Sequence, residues 1–331
     1  MIRRALAVFS LIACCLTPAA AQERVKVGTM QSVSSGVFFL AAIKDYFKAE
    51  GLEVDITAYA SDQDVVQALA AGATDFGVAG FTVPAFDYAS RGLIKAVAGQ
   101  AREKRDFEGS DLIVSNAAYA RGQQKAEQLA NSVAAVSALG ASDHYQFGRI
   151  ARLKGFDIRS VTLKPQGSFS NVARAVSEGQ VDAAVLPGAY ARALLLANQA
   201  KLVGWYSEMD EVQLGALFAS GQVIAKRRAT VEKFVRAYRR AAADYNITLM
   251  RKDKYGKRVS NAQSRETATA IARYVFPGRS TGASAVEADA FYIDAQARLD
   301  ADDIARQVEW YRAQGLLDRS VDPRAIVDQS F

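Results

Sequence analysis

Cysteine and histidine are nearly missing from this chain: of 331 residues only Cys14, Cys15 and His144 are of these types. Both cysteines fall in the first 21 residues, so a chain beginning at Gln22 has no disulfide, no cysteine-bound metal or iron–sulfur group and no nucleophilic thiol. One imidazole does not make a zinc site of several histidines, and any Ser-His-Asp arrangement would have to use His144. Also missing are a Gly-x-Gly-x-x-Gly turn after a strand, a Walker A loop, a Gly-x-Ser-x-Gly elbow and a His-Glu-x-x-His helix. Acidic residues are plentiful enough to supply a glycosidase-like pair, and spacing alone does not settle that. The balance is against an enzyme, and no cofactor or metal is expected. Lys and Arg total 41 against 35 Asp and Glu, too small a surplus to argue for nucleic acid. The six prolines and 50% hydrophobic content rule out a disordered or low-complexity chain.

The first 21 residues have the layout of an export signal. Arg3 and Arg4 precede an apolar run over 5–16, and Ala19-Ala20-Ala21 gives a small-x-small cleavage site. The run is shorter than the roughly 20 residues a membrane-spanning helix needs. An alternative uses Leu11-Ile12-Ala13-Cys14, which resembles a lipobox and would leave a lipidated Cys14. Either reading exports the protein.

From residue 25 the pattern alternates. Strands are predicted over 25–30, 54–60, 75–80 and 93–98, separated by helices over 38–49, from Ser61 to the Gly72 stop, and over 84–90. Strands spaced by such helices imply βαβ units and a parallel sheet. The same grammar returns 107 residues later, where Val65, Ala68, Leu69, Gly72 and Asp75 are echoed by Val172, Ala175, Val176, Gly179 and Asp182. Two similar α/β lobes in tandem follow from this, with Asp75 and Asp182 serving the fold rather than a ligand.

Beyond residue 204 the pattern is helical, with helices predicted over 231–249, 266–275, 287–299 and 302–314. Residues 226–258 hold twelve Lys and Arg against three acidic residues. The apolar positions there share one helical face, so the cations form either a solvated face or a docking patch for a partner or an anionic membrane.

The run Gln67 to Gly80, the run Gly179 to Val185, the segment Val231-Glu232-Lys233-Phe234-Val235-Arg236-Ala237-Tyr238 and the terminal Gln307-Val308-Glu309-Trp310-Tyr311 resemble the periplasmic solute-binding proteins of ABC importers. The branch resembled is the nitrate, sulfonate and taurine type, which includes binders of thiamine-pyrimidine precursors. The resemblance implies a two-lobed α/β fold of the type II periplasmic-binding-protein kind, with two open lobes, a cleft between them and a helical C-terminal section. It divides the chain into a signal over 1–21, lobe 1 over 22–105, lobe 2 over 106–214, and a return to lobe 1 with the C-terminal helices over 215–331. It also implies a periplasmic monomer that delivers a small organic solute (sulfonate, carboxylate or pyrimidine-like) to permease subunits; an exported enzyme or a sensor's ligand receptor on the same fold is the alternative.

Ligands of open α/β sheets sit beyond the carboxyl ends of the strands. The loops at those ends nominate Gln31, Ser34, Ser35, Gly36, Phe81, Thr82, Ser142, Asp143, His144, Gln166, Gly167 and Tyr190 as cleft residues. Serines at a helix start suit a polar oxygen, although Ser34 or Ser35 would equally well cap its own helix. Asp143 would repel an anion above it, so it marks either a ligand with a donor group or a helix-start charge. Phe81 and Tyr190 are placed to hold a flat ring between the lobes.

Overall fold

A computed structural model describes residues 22–331; the segment read as an export signal, and the alternative lipobox reading at Cys14, lie outside the described residues. Lobe 1 begins β1 (Glu23–Met30), α1 (Gly36–Ile43), α2 (Tyr46–Ala49), β2 (Leu52–Tyr59), α3 (Asp62–Ala70), β3 (Phe76–Gly80), α4 (Val83–Ser90) and β4 (Ile94–Gly99). A short β5 (Arg102–Glu103) carries the chain to lobe 2. That lobe holds β6 (Ser110–Ser115), α5 (Asn116–Ala120), β7 (Val133–Val136), α6 (Ser142–Leu153), β8 (Thr162–Pro165), α7 (Phe169–Ser177), β9 (Ala183–Pro187), α8 (Gly188–Leu196), β10 (Ala200–Trp205) and α9 (Tyr206–Met209). The return passes through β11 (Val212–Gln213) to β12 (Gly215–Ser220). Then follow α10 (Gly221–Lys226), α11 (Arg228–Leu249), α12 (Ala262–Val275), α13 (Gly282–Asp289) and α14 (Ala301–Ala313).

Each lobe is a five-stranded sheet, ordered β2-β1-β3-β12-β4 in the first and β10-β6-β9-β7-β8 in the second. The alternation predicts parallel sheets, but neither sheet is wholly parallel. In each, the strand next to one edge is reversed: β12 runs antiparallel to β3 and β4, and β6 antiparallel to β9 and β10. These two are the strands that bring the chain across between lobes, so they enter from the opposite end. The two crossing segments are tied by β5 and β11, which pair antiparallel through Glu103 and Val212.

The 107-residue repeat has a physical basis. Asp75 accepts the Lys26 N–H at 3.0 Å and Asp182 accepts the Val133 N–H at 2.8 Å, so the first fastens β1 to the loop before β3 and the second fastens β7 to the loop before β9. Each carboxylate also pairs with an arginine, Arg227 and Arg121 respectively. Val65, Val66 and Leu69 of α3, and Val172, Ala175 and Val176 of α7, are buried against their sheets.

Two predicted helices differ. The helix over 38–49 is broken at Asp45, whose φ of 55° is left-handed, so that Phe38 and Phe47 both reach Phe234 of α11. The helix over 287–299 ends at Asp289. From there the chain runs along the edge of lobe 1: the N–H groups of Arg102 and Gly99 donate to the Tyr292 and Ala297 carbonyls, and Asp294 accepts the Gln296 and Arg298 N–H groups in a turn. Backbone pairing with a strand edge overrides the apolar periodicity there.

The C-terminal helices divide their packing. Val231, Phe234, Val235 and Tyr238 of α11 belong to the lobe 1 core. Helix α14 packs against both lobes and the crossing segments: Tyr311 meets Phe86 of lobe 1, Trp310 lies edge-on to His144 and Tyr145 of lobe 2, and Asp303 and Gln307 bond the Gln213 backbone. Among the arginines of the basic stretch, Arg227, Arg228 and Arg236 pair with acidic residues of this chain, and Arg240 lies 4.1 Å from the Tyr46 ring centroid. Among the described residues no helix is long and apolar enough to cross a membrane.

Candidate functional site

The lobes enclose a cavity of about 460 Å³. Gln31, Ser32 and Ser34 line it from lobe 1, and Ser142, Phe169 and Tyr190 from lobe 2. The crossing segments contribute Gln100 and Ser110, and the segment around α12 and α13 contributes Phe276, Arg279 and Asp289.

Of the twelve residues nominated from the sequence, Gln31, Ser34, Ser142 and Tyr190 line this cavity. Ser34 lies in a 3-10 turn over Val33–Ser35 whose first residues carry no side-chain cap, and its hydroxyl shares a 2.7 Å hydrogen bond with Ser32. Tyr190 meets Phe169 at a centroid distance of 5.9 Å, forming an aromatic wall on lobe 2.

The other eight are turned elsewhere. Ser35 is buried and accepts the Thr29 hydroxyl at 3.0 Å, and Gly36 faces the Tyr245 ring, which a Cβ would approach to 3.2 Å. Thr82 caps α4 by accepting the Ala85 N–H. Phe81 is fully buried, stacked on Phe86 at 5.3 Å and edge-on to Phe218 at 5.4 Å. Phe81 therefore does not face Tyr190 across the cleft; the aromatic neighbour of Tyr190 is Phe169, on the same lobe.

Asp143 and His144 serve the start of α6. The Asp143 carboxylate accepts the Ser137 N–H and hydroxyl and the His144 N–H; burial, only partly offset by these bonds, lifts its carboxyl to about 6. His144 Nδ1 accepts the Gly140 N–H at 3.0 Å, its ring lies 5.1 Å from Trp310, and burial lowers it to about 4. Neither residue lines the cavity. Gln166 and Gly167 stay at the β8–α7 turn, where the Gln166 carbonyl accepts from Asn171 and Gly167 donates to Ser137 O.

What the sequence reading did not single out is more polar. Asp62 opens α3, and its Oδ1 accepts the Gly80 N–H at 2.7 Å. Burial raises its carboxyl above the usual range. Asp289 binds Arg192 at 2.8 Å, and its carboxyl is likewise raised, first by burial. Just behind the cleft, the β5 residue Glu103 accepts from Ser110 N and Gln146 Nε2, both at 3.0 Å, and burial pushes it up to about 7. Nothing in local periodicity announces that residues 275–291 reach the cleft, since tertiary packing of α12 and α13 brings them there.

These side chains can bind a solute in a pocket with one aromatic wall and hydroxyl, amide and carboxylate groups around it. Among the described residues no group of three or more His, Cys, Asp or Glu is placed to hold a metal ion.

The family model described as NMT1/THI5 like matches residues 33–99, in lobe 1. No curated protein matches the chain in sequence. Among solved structures, the chain is similar to the periplasmic aliphatic sulphonate binding protein SsuA of Escherichia coli at 15% identity and a TM-score of 0.69, covering 93% of this chain and 92% of that one. It is similar to the alkanesulfonate-binding protein SsuA of Xanthomonas axonopodis pv. citri, bound to MOPS, at 19% identity and a TM-score of 0.70, covering 94% and 100%. The desulfurization enzyme DSZB is also similar, at 18% identity and a TM-score of 0.58, covering 93% and 97%. At these identities the likeness speaks for architecture, and the architecture is plain: the chain has the two-lobed α/β fold of the periplasmic binding proteins.

Proposed function

We propose that the protein is a periplasmic solute receptor that captures a small organic molecule between its lobes and delivers it to the permease of an ABC importer. The observation that carries this reading is the cavity itself, walled by both lobes and crossed at its back by the paired strands β5 and β11. A solute touching both walls binds the closed arrangement more tightly than the open one, so it shifts that equilibrium. A permease that fits only the closed surface then reads occupancy.

Catalysis is the weaker reading, although an enzyme shares the fold. The one histidine is buried against Trp310 and away from the cavity, and the chain from Gln22 onward has no thiol. Of the carboxylates at the cavity, Asp289 is tied to Arg192, and Asp62 accepts the Gly80 N–H through Oδ1. The test is a thermal-shift screen over sulfonates, taurine, nitrate, aromatic carboxylates, amines and aminopyrimidines, followed by mass spectrometry of the binding mixture. Stabilisation by one chemical class, with the compound recovered intact, is expected. Recovery of a product would contradict the receptor reading.

A further inference from the structure

Carboxylates stand at three of the helix starts around the cleft, while α7 and the 3-10 turn ahead of α1, which also reach the cavity, have none in their first turns. Asp62 is the first residue of α3, Asp143 lies in the first turn of α6, and Asp289 lies against the start of α8, where a Cβ on Gly188 would come within 3.1 Å of its Oδ1. The positive ends of these helices are thus met by the protein's own negative charge rather than left for an anionic ligand.

Two of the three have protein partners, Ser137 for Asp143 and Arg192 for Asp289. Asp62 is different. Gly80 N–H occupies Oδ1, and among the described residues no cation or hydroxyl bonds Oδ2. The carboxylate lies over the end of β3 because residue 80 is glycine: a Cβ there would sit 2.8 Å from Oδ2. Asp62 and Gly80 both line the cavity, so the free oxygen belongs to its wall. Its carboxyl is raised, as desolvation without a counter-charge requires, and a cation supplied by a ligand would reverse that.

The remaining wall suits an apolar body. Phe169 and Tyr190 form one side, with Leu214, Phe276 and Phe291 around them. Among the described residues Arg279 is the one guanidinium lining the cavity, and it is exposed.

We propose that the cleft selects a small organic ammonium, with a protonated amine seated on Asp62 and an aromatic or aliphatic body against Phe169 and Tyr190. This rests on the solute-receptor reading and specifies its ligand by charge.

The test is calorimetric titration of the full mature chain with four compounds on one skeleton: 2-phenylethylamine, 2-phenylethanol, phenylacetate and 2-phenylethanesulfonate. The amine is expected to bind at least ten-fold more tightly than the alcohol and more tightly than either anion. Asp62→Asn keeps an acceptor for Gly80 N–H but removes the charge, and is expected to abolish the preference for the amine. Asp62→Ser, which keeps a polar helix start, is a second variant should the first fold poorly, and the same loss is expected of it. An anion binding more tightly than the amine, or an amine preference that survives in both variants, overturns the proposal while leaving the receptor reading intact. Absence of binding by all four and by every class in the broader screen contradicts both.

Discussion

The Tyr311 hydroxyl donates to the Ala141 carbonyl at 2.8 Å, fastening the C-terminal helix to the residue just ahead of α6. The Tyr311 ring also meets Phe86 of lobe 1 at 5.8 Å and Tyr145 of lobe 2 at 5.9 Å. One fully buried side chain therefore contacts both lobes. Tyr311→Phe should cost about 1 kcal/mol through the lost hydrogen bond, and Tyr311→Ala about 3 to 5 kcal/mol through the cavity it leaves. Urea unfolding of the two variants measures both, and an equal loss in each would show that the hydroxyl, not the ring, is what matters.

Residues near the cleft separate into those that hold the fold and those that line the cavity. Phe81→Ala should destabilise the empty protein by about 3 to 5 kcal/mol, because Phe81 is packed between Phe86 and Phe218. Ser142→Ala should leave the melting temperature of the empty protein nearly unchanged. It should weaken solute binding by about 1 to 3 kcal/mol, roughly five-fold to over a hundred-fold, if its hydroxyl bonds the ligand. Calorimetry and melting curves on the same samples distinguish the two effects.

The repeated aspartates should behave alike. Asp182→Ala strips the Val133 N–H of its acceptor and Arg121 of its partner, and Asp75→Ala does the same to Lys26 N–H and Arg227. Each is expected to cost about 1.5 to 3 kcal/mol, the range for hydrogen bonds to a charged group. Neither should alter solute selectivity, and a changed ligand preference in either variant would assign these residues to the site instead of the fold.

Stability should respond to pH through Glu103. Burial raises its carboxyl from 4.5 to about 7, so the folded protein holds this proton more tightly than the unfolded chain. The resulting stability is fully present below about 4.5 and is lost as pH rises to about 7. His144 works in the opposite sense, lowered from 6.5 to about 4, and costs stability as pH falls through that interval. Glu103→Gln isolates the first effect: its stability should nearly match the parent at pH 4 and exceed it increasingly up to pH 7. A difference independent of pH would contradict the assignment.

The lobes were legible because their evidence is local. Val65, Leu69, Gly72 and Asp75 repeat at Val172, Val176, Gly179 and Asp182, and helix face, glycine stop and strand anchor each leave a mark at fixed spacing. The loops were legible in position, since strand ends face the cleft, and this located Gln31, Ser34, Ser142 and Tyr190. Which way a loop side chain turns was not, because Ser35 and Thr82 have the chemistry of both ligand contacts and structural partners. Reversal of β6 and β12, and the arrival of Arg279 and Asp289 at the cavity, depend on how distant segments pack, which no single-sequence periodicity records.

Closure around a solute is the central claim, and the cysteine-free chain from Gln22 onward permits a direct measurement of it. Glu53→Cys on lobe 1 and Glu178→Cys on lobe 2 place two exposed labels for pulsed electron spin resonance. Adding a compound that raises the melting temperature should shift the interlabel distances to a distinct, narrower distribution, and the unbound isostere of that compound should leave them as they were. A saturating ligand that leaves the distribution unchanged would contradict capture by lobe closure.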